Sequence, residues 1–332
     1  MAPDRQYQHV SVLLSESTAP LVESKGLVLV DCTLGGGGHT EALLRGKPSA
    51  QVVAFDRDKA MIDKAAIRFR EEIASGRLRL VHGNYGSIRQ RLAEFGIHAV
   101  DGILVDAGVS SFQIDEPERG FSFTKAGPLD MRMDQSQPLT AYQLVNEWPR
   151  QELEKILYDY GEERFARKIV SRILDERSKA PITDTLALAR IVENCLPRAR
   201  GPQKGSHPAT RVFQALRIAV NDELGDLKLL LNEIPSILNP GGVFSAIAFH
   251  SLEDRLIKER LKYLAAGCVC PPTIFSCARC GKAPGFLLQK KPITASEKEL
   301  EANPRSRSAK LRVFVRNSEE ILQPAVRVDG QQ

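Results

Sequence analysis

Long apolar runs are missing from this chain. No stretch approaches the roughly 18 apolar residues that a membrane-spanning helix needs, so no such span is expected. The opening residues, Met1 to Ser11, are polar and hold no apolar core of a secretory leader. Cysteine is scarce as well: six in 332 residues, with Cys32 and Cys195 alone and Cys268, Cys270, Cys277 and Cys280 crowded together. A secreted disulfide framework would spread them more evenly, so a cytosolic protein is expected. There is no internal repeat. What is present, 42% hydrophobic and 26% charged residues, supports a sizeable core in one large domain or two medium ones.

The net charge of +5 is modest, but it is unevenly laid out. Acid is absent from Arg198 to Arg217, where five Lys/Arg stand; Lys290 to Arg316 carries eight Lys/Arg against three Glu. Such stretches suit a polyanion, because each neutralised phosphate releases counterions, although a solvated surface has the same composition.

The first hundred residues alternate strand and helix signals. Gly26–Cys32, Gln51–Phe55, Leu78–Val81 and Val100–Val105 read as strands, with helical composition over Lys59–Ala74 and Ser87–Phe95. This pattern predicts a parallel sheet covered by helices. Strand character then disappears from Ser110 to about Arg217, where Gln151–Tyr158, Arg164–Arg177 and Leu186–Cys195 read as helices. The α/β pattern returns with a helix over Leu224–Leu238, a turn at Asn239–Gly242, a strand over Val243–Phe249, a helix from Ser251 to about Leu264 and a last strand over Leu311–Val315. A discontinuous α/β domain, 1–112 with 218–332, is therefore expected to carry a helical insertion, 113–217.

A glycine-rich loop, Asp31-Cys-Thr-Leu-Gly35-Gly-Gly37-Gly38-His39, directly follows the first strand. Glycines let a backbone turn sharply and approach a ligand closely. The third glycine of a dinucleotide loop is missing: position 40 is Thr. Asp31 would suit the cationic amino-acid end of S-adenosylmethionine and would repel a pyrophosphate. Asp56 ends the second strand, nineteen residues after Gly37, where a carboxylate can accept ribose hydroxyls. Tyr85, after the third strand, is placed either to pack on adenine or simply to lie at the surface.

Asp106 ends the fourth strand, where ligands of doubly wound sheets bind. A carboxylate there can accept an N–H bond from an exocyclic amine, orienting a nucleophile whose lone pair is delocalised into its ring. Its plainer alternative is a loop cap. A Pro-Cys dipeptide at a sheet end, as used for C5 methylation of pyrimidines, is lacking. So is the Asp/Ser/Asn-Pro-Pro-Tyr run of DNA amino-methyltransferases; Asp106-Ala-Gly-Val stands there instead. A dinucleotide oxidoreductase and a non-catalytic RNA-binding factor are the remaining rivals.

Together with His9-Val-Ser-Val-Leu-Leu14, Arg119-Gly-Phe-Ser-Phe123, Gly127-Pro-Leu-Asp-Met-Arg-Met-Asp134, Tyr160-Gly-Glu-Glu-Arg-Phe165, His207-Pro-Ala-Thr-Arg211, Phe249-His-Ser-Leu-Glu-Asp-Arg255 and Asn303-Pro-Arg-Ser-Arg-Ser-Ala-Lys310, these segments make the chain resemble the MraW/RsmH family. The resemblance runs from about Gln8 to Arg316. It implies a class I S-adenosylmethionine-dependent methyltransferase fold, Rossmann-like with a mainly parallel sheet and an inserted helical domain. It also implies N4 methylation of a cytidine in the decoding region of the small-subunit (16S) ribosomal RNA. The family's cofactor contacts carry over to Gly37, Gly38, His39, Asp56, Tyr85, Asp106 and Gln113, beside Asp31 and Gly35 from the loop reading. Ala107 stands where the family usually has Leu, and Tyr85 where relatives often have Phe.

Asp130, Arg132 and Asp134 alternate with Met131 and Met133. They read as a loop near the target base or as an internal ion-pair network. His207 and Arg211 start a helix in the acid-free stretch and suit a phosphate or a helix cap. His250 follows the fifth strand, as a base contact or a satisfied core histidine. Arg305 and Arg307, interleaved with serines, suggest a loop on RNA phosphates. Cys268, Cys270, Cys277 and Cys280 could hold a structural zinc or remain reduced thiols; the C-x-C first pair is tighter than usual for zinc. The sequence leaves the oligomeric state open, a homodimer included.

Overall fold

The structure is a computed structural model, and it describes residues 11–196, 207–267 and 283–318. The chain divides into two compact units: residues 1–56, 62–107 and 227–332 in the first, 57–61 and 108–226 in the second. The expected insertion, 113–217, lies within the second.

In chain order the elements are α1 (Leu14–Glu23), β1 (Val28–Asp31), α2 (Gly38–Gly46), β2 (Gln51–Asp56), α3 (Lys59–Arg68), α4 (Arg70–Ala74), β3 (Leu78–His82), α5 (Ile88–Ala93) and β4 (Val100–Asp106). Then come α6 (Ser111–Asp115), α7 (Ala141–Glu147), α8 (Arg150–Asp159), α9 (Ala166–Arg177), α10 (Thr185–Cys195) and α11 (Thr210–Asn221). The chain returns through α12 (Glu223–Ile237), β5 (Leu238–Ala248), α13 (Ser251–Leu264), β6 (Gly285–Leu287), α14 (Glu297–Ala302) and β7 (Lys310–Arg316).

The first unit is built on one seven-stranded sheet of order β3-β2-β1-β4-β5-β7-β6. Strands β1 to β5 pair in parallel, and β7 runs antiparallel to both β5 and β6. That order, with its reversed β7, is the class I methyltransferase sheet. Alternate residues of each strand feed different cores, as the period of two requires. Val30, Val53, Phe55 and Val105 join Leu230, Ile234, Ile257 and Leu261 of α12 and α13 on one face. Leu29, Val52, Ala54 and Leu104 join Leu21, Leu43 and Ala65 of α1, α2 and α3 on the other. Burial on both faces is why these strands read as continuous apolar runs.

Two local expectations change. The helix read over Lys59–Ala74 breaks at Phe69, which leaves helical geometry at φ −106°, ψ 28° and is buried. The break turns the ring onto the glycine loop: a Cβ on Gly37 would sit 2.7 Å from Phe69 Cε2. The turn at Asn239–Gly242 lies inside β5. Leu238 pairs with Val100 and Val243 with Gly102, so five steps along β5 match two along β4 and the residues between bulge out, with Gly241 at φ +78°.

The second unit is helical. Leu144, Leu153, Ile156, Ile169, Val170, Ile173, Leu188, Val192, Val212, Phe213 and Leu216 line its core with Met131 and Met133. No helix among the described residues is long and apolar enough to cross a membrane.

Candidate active site

Sheet order reverses between β2-β1 and β4-β5, which opens a crevice beyond the carboxyl ends of β1 and β4. Gly35 and Gly37 take left-handed angles, φ +49° and +80°, and turn the chain from β1 into α2. Bonds from β2 and α3 help hold the loop. Gly35 N donates to Asp56 Oδ2 at 2.8 Å, Leu34 N to the Phe55 carbonyl at 2.8 Å, and Arg68 Nη1 to the Gly36 carbonyl at 2.5 Å. Arg68 also pairs with Glu41. The space a side chain would take at Gly37 and Gly38 is filled by protein: Phe69 at the first, Ser11 Oγ at 2.1 Å from an added Cβ at the second. These two glycines are therefore dictated by packing, a reason the sequence reading did not supply.

Asp31 is corrected in its role. It is 0% exposed. Oδ1 accepts from Thr33 N at 3.0 Å and Oδ2 from Thr40 Oγ1 at 2.7 Å, at the N-terminus of α2. Burial lifts its carboxyl above the ordinary range, against the opposing pull of His39 and of the Thr40 and Thr33 bonds. It shapes the loop from beneath rather than meeting a ligand. Asp56 keeps its place at the end of β2, half-buried, with Oδ2 bracing Gly35. Tyr85, half-buried in a turn of 3-10 helix, packs against the core that holds Val81 and Ile88.

Asp106 is the chemically unusual group. Its backbone N–H donates to Thr33 Oγ1 at 2.8 Å, which ties the end of β4 to the glycine loop. Oδ2 lies 3.8 Å from His39 Nδ1. Among the described residues Oδ1 is buried without a hydrogen-bond partner, yet the side chain keeps 20% of its surface. Burial pushes the carboxyl up to about 7; His39 pulls it down, while Asp31 and Glu253 add to the rise. A buried acceptor with no donor costs free energy unless something supplies one. A loop-capping carboxylate would have its donors within the fold. An orphaned acceptor beside a glycine cradle, on a side chain that keeps part of its surface, fits a site built for a ligand N–H.

Gln113 is drawn into another network. In the second unit its Oε1 accepts from Ser110 N at 3.1 Å in a capping box on α6, and its Nε2 donates to Asp58 Oδ2 at 3.0 Å. Each end of the amide thus makes one bond inside the second unit, keeping a second N–H and a second lone pair. Asp58 also pairs with Arg119 at 2.6 Å, the two side chains 4% and 6% exposed, and Arg119 Nη2 donates to the carbonyls of Arg132 and Met133. Arg132 makes a two-pronged pair with Asp130 at 2.9 and 2.8 Å and donates Nη1 to the carbonyls of Gln135 and Gln137. Burial would raise Asp130, but the bonds from Arg132 outweigh it and hold the carboxyl low. Asp134 caps Ser136. Within this stretch Asp130 and Arg132 form an ion pair.

His207 stacks on Phe123 at 4.6 Å, lies 2.8 Å from Glu193 Oε1 and accepts from Ala209 N at 3.2 Å, ahead of α11. Arg211 is exposed and reaches the Glu162 carbonyl. His250 caps α13: its Nδ1 accepts from Glu253 N at 3.4 Å, while Glu253 Oε2 accepts from Phe249 N at 2.8 Å. His250 thus caps α13 through Nδ1, while its Nε2 lies 3.1 Å from Glu253 Oε1. Arg305 and Arg307 are exposed on a short 3-10 turn, Pro304–Ser308, before β7. The four clustered cysteines lie outside the described residues; among the described residues no group of three or more His, Cys, Asp or Glu could hold a metal ion.

Thr33, Thr40, Asp58, Arg68, Arg119 and Glu253 were not singled out by the sequence reading. Glu253 had a local signal: it stands three residues after the N-cap His250, where a capping-box acid belongs.

A model of the MraW methylase family matches residues 6–317. A ribosomal RNA small subunit methyltransferase H of Citrifermentans bemidjiense is 48% identical over 309 residues, 92% of this chain and 98% of its own. The protein of the same name from Clostridioides difficile is 42% identical over 93% of this chain and 98% of its own. An rRNA methylase from Streptococcus thermophilus of known structure aligns over 93% of this chain and 99% of its own, with a TM-score of 0.38 at 11% identity; the fold rests on the strand order above.

Proposed function

The chain belongs to the MraW methylase family, and from that premise we propose that it uses S-adenosylmethionine to methylate N4 of a cytidine in the decoding region of small-subunit (16S) ribosomal RNA. The observation that carries the chemistry is the buried, partnerless Oδ1 of Asp106 at the carboxyl end of β4. The names of the relatives support the RNA substrate.

When bound, S-adenosylmethionine supplies an electrophilic methyl group. The glycine loop from Gly35 to His39 and the Asp56 carboxylate would hold it, with Tyr85 available to its adenine. Asp106 does the work on the acceptor. Its carboxylate accepts one N–H of the cytosine amine, fixes the plane of that amine and returns electron density to nitrogen. Arg305, Arg307 and Arg211 are exposed and suit RNA phosphates. From residue type and spacing alone, Cys268, Cys270, Cys277 and Cys280 are also proposed to hold a structural zinc. Metal analysis of purified protein is expected to give about one zinc per chain, lost on double Cys277→Ser, Cys280→Ser substitution; zinc-free wild type rules the site out.

The ionised Asp106 is the stronger acceptor of the N–H, and only it can take up the proton released. With its carboxyl raised to about 7 by burial, kcat/KM is expected to climb about tenfold per pH unit below that value and level off above it. A flat profile from about pH 5.5 to 8.5 would contradict the role given to Asp106.

The substrate is tested with labelled donor and purified protein on naked ribosomal RNA, assembled small subunits and DNA, followed by nucleoside mass analysis. N4-methylcytidine from RNA is expected. Label on DNA, on another atom of the base, or on nothing overturns the proposal.

A further inference from the structure

One peptide bond near the start of the described chain is gripped from both sides. The Val12 carbonyl lies 3.2 Å from His39 Nε2, and Leu13 N–H, the other end of the same peptide, donates to Glu299 Oε1 at 2.7 Å. Glu299 sits on α14, 286 residues away in sequence. Leu13 holds φ +49° with its side chain fully buried, a backbone conformation that a branched residue keeps only where its surroundings dictate it.

This grip has a consequence for the imidazole. A carbonyl can only accept, so the atom facing Val12 must carry the proton: His39 is held with hydrogen on Nε2. Its Nδ1 is then the atom presented to Asp106 Oδ2, 3.8 Å away. The Glu299 carboxylate on Leu13 N–H polarises the peptide and strengthens the carbonyl as an acceptor. His39 is 3% exposed, so water competes little for either ring nitrogen. Among the described residues the charged groups that act on Asp106 beside His39 are Asp31 of β1 and Glu253 of α13.

We propose that Glu299, acting through the Val12–Leu13 peptide, positions His39 so that Nδ1 supports Asp106 as the acceptor of the proton released on methylation. The inference rests on the reading of Asp106 given above. After transfer, cytidine N4 carries the new methyl group, two hydrogens and a positive charge. The Asp106 carboxylate takes one hydrogen as a proton, the N–H bonding pair stays on nitrogen, and N4 becomes a neutral secondary amine. The proton on Asp106 is then stabilised by the Nδ1 lone pair until it leaves to solvent. His39 and Glu299 are positioning residues, since both act through Asp106.

The test begins with nitrogen NMR of imidazole-labelled wild-type protein without donor or RNA. Hydrogen on Nε2 and a bare Nδ1 are expected for His39 at pH 8; the opposite tautomer overturns the proposal. Glu299→Ala should mix the tautomers; an Nδ1–H donating to the Asp106 carboxylate makes it a weaker base, so the acid limb of kcat/KM should move to lower pH and the plateau at pH 9 should fall about three- to tenfold. Glu299→Gln retains an oxygen for Leu13 N–H and should recover most of that loss. A Glu299→Ala protein that melts lower but keeps the wild-type tautomer and acid limb makes Glu299 merely structural and overturns the proposal. Should Glu299→Ala fail to fold, the wild-type tautomer and the Glu299→Gln limb decide. The tautomer is read with no methylation assay, so failure here and failure of the methyltransferase reading give different results.

Discussion

Asp106→Asn is expected to lose methyl transfer by about a thousandfold while melting at a higher temperature than wild type at pH 8. The two effects share one cause. The carboxyl is raised to about 7 by burial, so the folded protein holds a proton there that the unfolded chain releases near 3.8. Between those values the native state binds more protons than the unfolded one, and stability falls as pH rises through the window. Above about 7 the full cost of the buried charge is present, on the order of a few kcal/mol. Asparagine does not titrate and escapes that cost, so the gain in melting temperature should shrink toward pH 5. It keeps the shape of the group but cannot take a proton or bear the charge that orients the amine. Donor binding by calorimetry should change little, because the loop from Gly35 to His39 and Asp56 are untouched. Near-wild-type transfer by Asp106→Asn would remove the carboxylate from the chemistry. Lost transfer together with lost donor binding would place Asp106 in cofactor binding instead.

The sheet was legible because its strands are buried on both faces: Val28–Asp31, Gln51–Asp56 and Val100–Asp106 stand as apolar runs that end in carboxylates. Position at a strand end also made Asp56 and Asp106 legible, since that end faces the crevice whatever the rest of the fold does. Direction was not legible. Asp31 and Asp106 both close a strand, but Asp31 turns under the loop to Thr33 and Thr40 while Asp106 leaves an oxygen unmet, a difference set by neighbours rather than by the local string. Helix α1 was missed because Pro20 lies inside it. Helix α7 did have a signal: Thr140 and Gln143 form a capping box, visible as Thr-x-x-Gln. Pairs such as Leu13 with Glu299 or Asp58 with Arg119 are joined only by folding, and no spacing rule reaches across them.

The second unit should depend on one such pair. Asp58 and Arg119 are buried together at 2.6 Å, and Arg119 also ties down the carbonyls of Arg132 and Met133. Arg119→Met would keep the apolar stem but remove the counter-charge of the buried Asp58, which keeps its bonds from Gln113 and Ala60, and would leave two carbonyl oxygens away from water. Breaking a buried pair from one side costs about 3–5 kcal/mol. The loss should be local, and the single tryptophan reports it: Trp148 packs on the second unit's core, so its fluorescence follows that unit alone. Its midpoint in urea should fall well below that of wild type. Asp58→Asn should cost less, because the amide oxygen can still accept from Arg119 although its charge is gone. The double variant Asp58→Asn, Arg119→Met should be more stable than the sum of the two singles, since no charge is then left buried. If the two single effects simply add, the charge pair is not what holds the 130–134 loop. Stability would then come from its other anchor: Asn221, which accepts from Met133 N at 2.8 Å and donates to the Met131 carbonyl at 2.8 Å. Asn221→Ala would in that case be the costlier substitution. With the pair as the main support, Arg119→Met should cost more than Asn221→Ala, because it leaves a charge as well as neutral groups unpaired.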